Sequence, residues 1–379
     1  MTATSSQALI RRLTELRGRT GAMIASLEEL VSVESPSADI TATARCADNL
    51  AAMGAALLGA APDRVEVGGR THLRWQFGGP ARVLLVGHFD TVWPMGTVDR
   101  WPFSVRDGLA TGPGVFDMKG GVVQSLYALA ALDDLDGVSV LLTSDEELGS
   151  ITSRQLVEDA AAGAAATLVT EPAARDGALK VGRKGVSMYT VNLRGVAAHA
   201  SDPPRGANAS LELARLVLQV ERLSDPENGT SVTPTLLQGG VTQNTIPDRA
   251  WFYTDCRVAT AYEERRVLEA MRGLTAQDPR VSVEVVGGPN RPPFPVSSGQ
   301  PLYERAARLG QEMGLAPFGA ALVPGGSDGN FTAALGVPTL DGLGAVGDHA
   351  HGEGEFIVVD AMPERAALLA ALVEEILRT

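Results

Sequence analysis

VSVLLTSDEELGS, residues 138–150, runs from an apolar stretch straight into three consecutive carboxylates, Asp145, Glu146 and Glu147. The opening VSVLL reads as a buried strand, too short for a helix and followed by polar residues. Three like charges at the mouth of a core repel one another, and low dielectric strengthens the repulsion. Either they face water or positive charge sits among them. The same texture recurs on both sides. ARVLLVGHFD (81–90) is an apolar strand ending in His88 and Asp90, and ATLVTEP (166–172) is another ending in Glu171. Helical stretches at 119–132 and 151–162 separate these strands. Strands alternating with helices predict an α/β layer with a largely parallel sheet. Ligands of such sheets gather beyond the carboxyl ends of the strands. His88, Asp90, Glu146, Glu147 and Glu171 all fall there.

Further out, residues 7–33 carry apolar side chains near helical spacing, residues 45–58 read as a second helix, and RVEV and THLRWQF as short strands. The pattern changes near residue 184. KGVSMYTVNLRG is a strand, 208–223 a helix, SVTPTLLQGG and DRAWFYTDCRV two strands, 262–275 a helix and VSVEVVGG a last strand. This β-α-β-β-α-β order predicts a ferredoxin-like α+β domain over 184–292. After NRPPFPVS the α/β texture returns, with a helix at 301–313 and a final one at 363–377. The expected organisation is a discontinuous catalytic domain, 1–183 and 293–379, interrupted by the smaller one.

The chain has 379 residues, 45% of them apolar, and a formal net charge of −13. That length favours two domains. No basic stripe with interleaved aromatics is present, so no nucleic-acid partner is expected. No apolar stretch is long enough for a bilayer span, so no membrane partner is expected. The first residues read as an amphipathic helix and not as a signal peptide. Cys46 and Cys256 form no ligand-spaced cluster, and reduced thiols in a cytoplasmic protein are the plain expectation.

Each chemical motif has two readings. His88 in GHFDT is either a metal ligand, with Asp90 fixing its tautomer, or a strand-end histidine bonded to a loop. Asp117 in GPGVFDMKGG is either a helix-start cap or a carboxylate able to bridge two ions through its two oxygens. Glu146 and Glu147 diverge as neighbours must. One can bind metal while the other takes a proton from water, or both can cap the next helix. His72 looks structural. His351 lies in the glycine-rich loop GDHAHGEGEF. The set His88, Asp117, Glu147, Glu171 and His351 counts out ligands for two ions, which would explain why carboxylates crowd together.

At these residues the sequence resembles the co-catalytic zinc family that contains bacterial glutamate carboxypeptidases, acetylornithine deacetylase and succinyl-diaminopimelate desuccinylase. The matching segments are GHFDTVWPMG, GPGVFDMKGG, TSDEELGS, VTEP, AAHAS, QNTIPDRA and HAHGEGEF, spread from residue 87 to 356. The nearest flavour is glutamate carboxypeptidase. The resemblance implies a zinc-exopeptidase-like catalytic domain holding two Zn²⁺ per subunit, with Co²⁺ or Mn²⁺ as substitutes. Asp117 would bridge the ions across a cis peptide to Met118. His88 and Glu171 would complete one site, and Glu147 and His351 the other, with His349 as the alternative histidine. Glu146 would be the general base and Asp90 would orient His88. The inserted domain would act as a lid and homodimer surface. From it His199 would polarise the scissile carbonyl. Asn244, Arg257 and the turn Gly325, Gly326, Ser327 would hold a substrate carboxylate. The implied activity is hydrolysis of an amide bond next to a free carboxylate in a small molecule or short peptide, releasing C-terminal glutamate from peptidyl, folyl or N-acyl substrates. The nearest rival is an N-acyl amino acid deacylase of the acetylornithine deacetylase or desuccinylase type. A non-catalytic binding or assembly protein is the rival of another class; it would be expected to have lost Glu146 or Asp117, and both are present.

Overall fold

The computed structural model describes residues 3–378, with side chains from Ser6 onward. It divides into two compact units. One comprises Met1–Gly182, Pro295–Val323 and Ser327–Thr379; the other comprises Arg183–Phe294 and Pro324–Gly326.

The first unit is built on a six-stranded sheet. Val83–His88 lies between Val138–Thr143 and Ala166–Val169, parallel to both, and Thr339–Leu340 extends the parallel set. The hairpin of Asp63–Val67 and Arg70–Gln76 adds two antiparallel strands beside Val138–Thr143. Helices cover both faces, and one strand shows how. Val83 and Leu85 join the core shared with Gly120–Leu129 and the carboxyl-terminal helix Ala361–Arg378, while Leu84 and Val86 join the core with Val157 and Phe331. All four are essentially inaccessible to solvent. Burial of each such side chain contributes roughly 1.5–3 kcal/mol. That is why these strands are continuous apolar runs with no polar alternation.

Two features depart from the expected pattern. The N-terminal helix is two helices, Ala3–Gly18 and Thr20–Ser32, broken at Arg19 where the flanking Gly18 and Gly21 weaken helix propensity. A second, small sheet is also present. Leu109–Thr111 lies between Ser104–Arg106 and Phe356–Val358, and Phe356–Val358 pairs in turn with Gly347–Asp348. Its consequence is local: Phe356 faces Thr111, so the loop holding His351 runs beside the turn holding Asp117.

The second unit has a four-stranded antiparallel sheet in the order Ser231–Gly239, Arg249–Val258, Gly185–Arg194, Ser282–Arg291. Helices Ala209–Glu221 and Ala261–Arg272 pack on one face through Leu213, Leu216, Val267 and Met271 against Val191, Phe252 and Cys256. Each helix starts on a side-chain cap, Asn208 and Thr260 respectively. Both cysteines are buried and unpaired. No helix among the described residues is long and apolar enough to cross a membrane.

Candidate metal centre

Three neighbouring parallel strands end at the same edge of the sheet. His88 is the last residue of its strand and pairs with Thr143, and Glu171 follows two residues after Val169. Glu147 follows Thr143 by a short helical turn, Glu146–Leu148. The sheet thus delivers one histidine and two carboxylates to one place. Asp117 arrives separately, on a turn in which Gly114 takes φ 73°, a conformation that suits glycine. The Asp117–Met118 peptide is cis. The helix that follows packs close to the sheet: a Cβ on Gly121 would lie 1.9 Å from the carbonyl oxygen of Thr170, so only glycine fits.

The ligand-type atoms form two groups that share Asp117: His88, Asp117 and Glu171, and Asp117, Glu147 and His351, each within 4.8 Å of one another. The two carboxylate oxygens of Asp117 are divided between them. Oδ1 lies 3.3 Å from His88 Nε2 and Oδ2 lies 3.3 Å from His351 Nε2. His88 Nε2 is also 3.5 Å from Glu171 Oε1, and His351 Nε2 is 3.0 Å from Glu147 Oε1.

The tautomer of His88 follows from its other nitrogen. Nδ1 is 3.0 Å from the backbone oxygen of Asp90, which can only accept, so Nδ1 carries a proton. In the neutral ring the lone pair of Nε2 then points at two carboxylates. His88 Nε2 and Asp117 Oδ1 are buried without a hydrogen-bond partner. Electrostatics tell the same story. Burial favours neutral His88, yet the carboxylates of Asp117, Asp90 and Glu171 close to its ring push its pKa well above the usual value. His351 is pushed up to about 10 by hydrogen bonds to Asp117 and Glu147. Burial alone would raise the Asp117 carboxyl, but the imidazoles of His351 and His88 beside it hold it far below the usual range. Burial raises Glu147. Protons are drawn onto the histidines because negative charge outweighs positive charge here. Imidazole nitrogens and carboxylate oxygens converging on an uncompensated lone pair are the donor set of a divalent cation, and the residues fit one.

The supporting residues split by role. The Asp90 carboxylate is 3.4 Å from His88 Nδ1 and accepts the backbone N–H groups of Glu146 and Glu147. Of the three carboxylates in the acidic run, Asp145 is buried and accepts from Thr152 and Ser153, so it starts the following helix. Glu147 reaches the centre, and half-buried Glu146 stands beside it outside both ligand groups. His72 is buried and bonded to Thr152 and to the N–H of Ser144, a structural position. His349 is exposed, belongs to neither ligand group and stacks obliquely near Phe356.

Glu355 enters the sequence reading only as a spacing mark, its distance favouring His351 over His349, and receives no role there. Its buried carboxylate accepts the N–H groups of Gly114, Phe116 and Asp117 and the indole N–H of Trp93. Burial pushes it up to about 7, against the backbone N–H groups that favour the charged form. The only sequence signal is a carboxylate in a glycine-rich loop four residues after His351.

In the second unit, His199 and Asn244 come together: His199 pairs with Thr245, and Ala200 N–H donates to the Asn244 carbonyl. Ser201 N–H donates to His199 Nδ1, so the neutral ring carries its proton on Nε2. Arg257 is bidentate to Asp255. The carbonyls of Gly325 and Gly326 accept from Arg183. Ser327 is the third residue of that turn. It is buried, its hydroxyl donates to Asp341 and its N–H to Asn330, so its polar groups serve the fold.

The sequence profile of Peptidase family M20/M25/M40 matches residues 84–375. Carboxypeptidase G2 of Pseudomonas sp. (strain RS-16) is 30% identical over 370 residues, covering 94% of this chain and 89% of that protein. Succinyl-diaminopimelate desuccinylase of Dechloromonas aromatica (strain RCB) is 27% identical, covering 84% and 90%. A crystal structure of a tripeptidase from Staphylococcus aureus subsp. aureus mu50 shares the fold, with a TM-score of 0.79 at 20% identity over 95% of this chain and 99% of that one. With the profile spanning most of the chain, the protein is a hydrolytic enzyme and belongs to peptidase family M20/M25/M40.

Proposed function

We propose that the enzyme hydrolyses an amide bond beside a free carboxylate, releasing C-terminal glutamate from peptidyl, folyl or N-acyl substrates, with two divalent cations, Zn²⁺ first among them. The observation that carries this reading is the division of Asp117, one oxygen toward each histidine. His88 and Glu171 would hold one cation, Glu147 and His351 the other, and Asp117 both. Cations bound there acidify water and polarise a carbonyl.

The remaining work belongs to the chain. Glu146 takes the proton of the attacking water and returns it to the leaving nitrogen. Asp90 keeps the proton of His88 on Nδ1 and the Nε2 lone pair toward the centre. His199 donates its Nε2 proton to the carbonyl oxygen, where negative charge grows in the transition state. That contact is made on closure of the second unit as a lid, in a homodimer. Asn244 and Arg257 receive the substrate carboxylate. Asp255 takes Nε and Nη2 of Arg257, so Nη1 would make the contact.

The choice of glutamate rests on the likeness to a carboxypeptidase over nearly the whole chain. A deacylase reading rests on the desuccinylase likeness, which also spans most of both chains. One assay separates them. Purified enzyme is offered N-acyl and N-aminoacyl glutamates beside acetylornithine and N-succinyl diaminopimelate, and the freed amino acid is identified. Free glutamate is expected. Turnover of the other two substrates with no glutamate released would overturn the assignment.

A further inference from the structure

The ligands of the centre differ in what holds them. His88, Glu147 and Glu171 follow strands of the main sheet, whereas Asp117 and His351 lie on a turn and a loop with no strand of that sheet before them. A turn whose N–H groups point inward needs an acceptor, because a buried amide left unpaired loses its hydration with nothing in return. Glu355 is that acceptor. Oε1 takes the N–H groups of Phe116 at 2.7 Å and Asp117 at 2.8 Å. Oε2 takes the N–H of Gly114 at 3.1 Å and the indole of Trp93 at 3.0 Å. Trp93 lies on the loop after His88 and is braced edge-on against Trp101, with ring centroids 5.2 Å apart.

We propose that Glu355, anchored by the Trp93 indole, is a positioning residue of the centre: it sets the backbone of the Asp117 turn and, four residues from His351, ties the loop ligand to the shared carboxylate. It touches neither substrate nor cation and acts through Asp117. The inference rests on the metal reading above and assigns a role to two residues outside the ligand set. Both oxygens of Glu355 are committed to donors, two each. That fixes the outcome of a conservative change. In Glu355→Gln the amide nitrogen must face two N–H groups whichever way it is turned, so one pair of contacts becomes donor against donor. Shape is preserved and charge and acceptor count are lost.

The test is cobalt titration of the full chain, reading the visible absorption of bound Co²⁺ and its affinity by chelator competition. Residues that orient ligands cost about 10–100-fold in metal affinity when changed. Glu355→Gln is expected to fall in that range and to shift the cobalt spectrum, since Asp117 is displaced. Trp93→Phe, which keeps a ring and removes one donor, is expected to weaken affinity several-fold in the same direction. If Glu355→Gln fails to fold, Trp93→Phe decides. Wild-type affinity and an unchanged spectrum in the folded variants would overturn the positioning role while leaving the metal reading intact. A wild-type chain that takes up no cobalt would sink both.

Discussion

His88 and His351 meet the same aspartate from opposite kinds of ground. The His88 side chain is 2% exposed, at the end of a strand paired on both sides. The His351 side chain is 51% exposed, on a loop where His349, His351 and Gly354 all take positive φ. One ligand is positioned by the sheet and has almost no freedom to lose. The other sits in a loop held only by the short strand pair that flanks it. The difference teaches that a centre can look symmetric in its ligand chemistry and be asymmetric in how it is built. Rigidity comes from the layer beneath one half, and access to solvent from the loop above the other.

The most severe test of that division concerns a residue that belongs to neither half. Glu146 stands outside both ligand groups. Glu146→Gln should keep the metal content of wild type while kcat falls by roughly 10²–10⁴-fold, the range for a positioned acid–base group. Metal analysis alongside steady-state kinetics checks both parts. An active variant would overturn the acid–base role, and one stripped of metal would make Glu146 a ligand and redraw the two halves.

His199→Ala asks whether the comparison stops at the first unit. Metal content should be unchanged and kcat should drop by about 10²–10³-fold, the scale of one lost oxyanion donor. If the histidine is supplied by a partner subunit, exchange with Glu146→Gln subunits should restore part of the activity through hybrid dimers. No recovery in hybrids shown to have formed would place His199 in its own subunit's site or outside catalysis.

The smallest effect bears on the comparison most directly. In metal-free protein, His88→Ala removes a buried partner of Asp90 and should lower stability by about 1–3 kcal/mol. His351→Ala removes a half-exposed ring and should cost about 1 kcal/mol or less. Denaturant melts of the two variants measure the difference. Equal losses would mean that the loop is as structural as the strand.

What is legible in the sequence follows the same divide. An apolar run announces a strand, its end and the sheet edge together, so His88, Glu147 and Glu171 can be placed from VLLVGH, VSVLLTS and ATLVTEP. The helix break at Arg19 was also within reach, because Gly18 and Gly21 bracket it. The small sheet is not legible, since strands of two and three residues are too short to show a period. The choice of His351 over His349 enters only through resemblance. The contacts of Glu355 are not legible because three of its four partners are backbone N–H groups, which leave no side-chain signature. Ser327 too enters only through resemblance, and its bond to Asp341, made in the core, has no signal in the sequence.

The bond from Asp117 N–H to Glu355 spans 238 residues. The carboxyl-terminal helix, which lays a dozen buried residues into the core, follows still later. Residue 117 is therefore synthesised long before both the carboxylate that accepts its N–H and His351. A stop before His351 would remove that ligand candidate and the Glu355 acceptor of the Asp117 turn together.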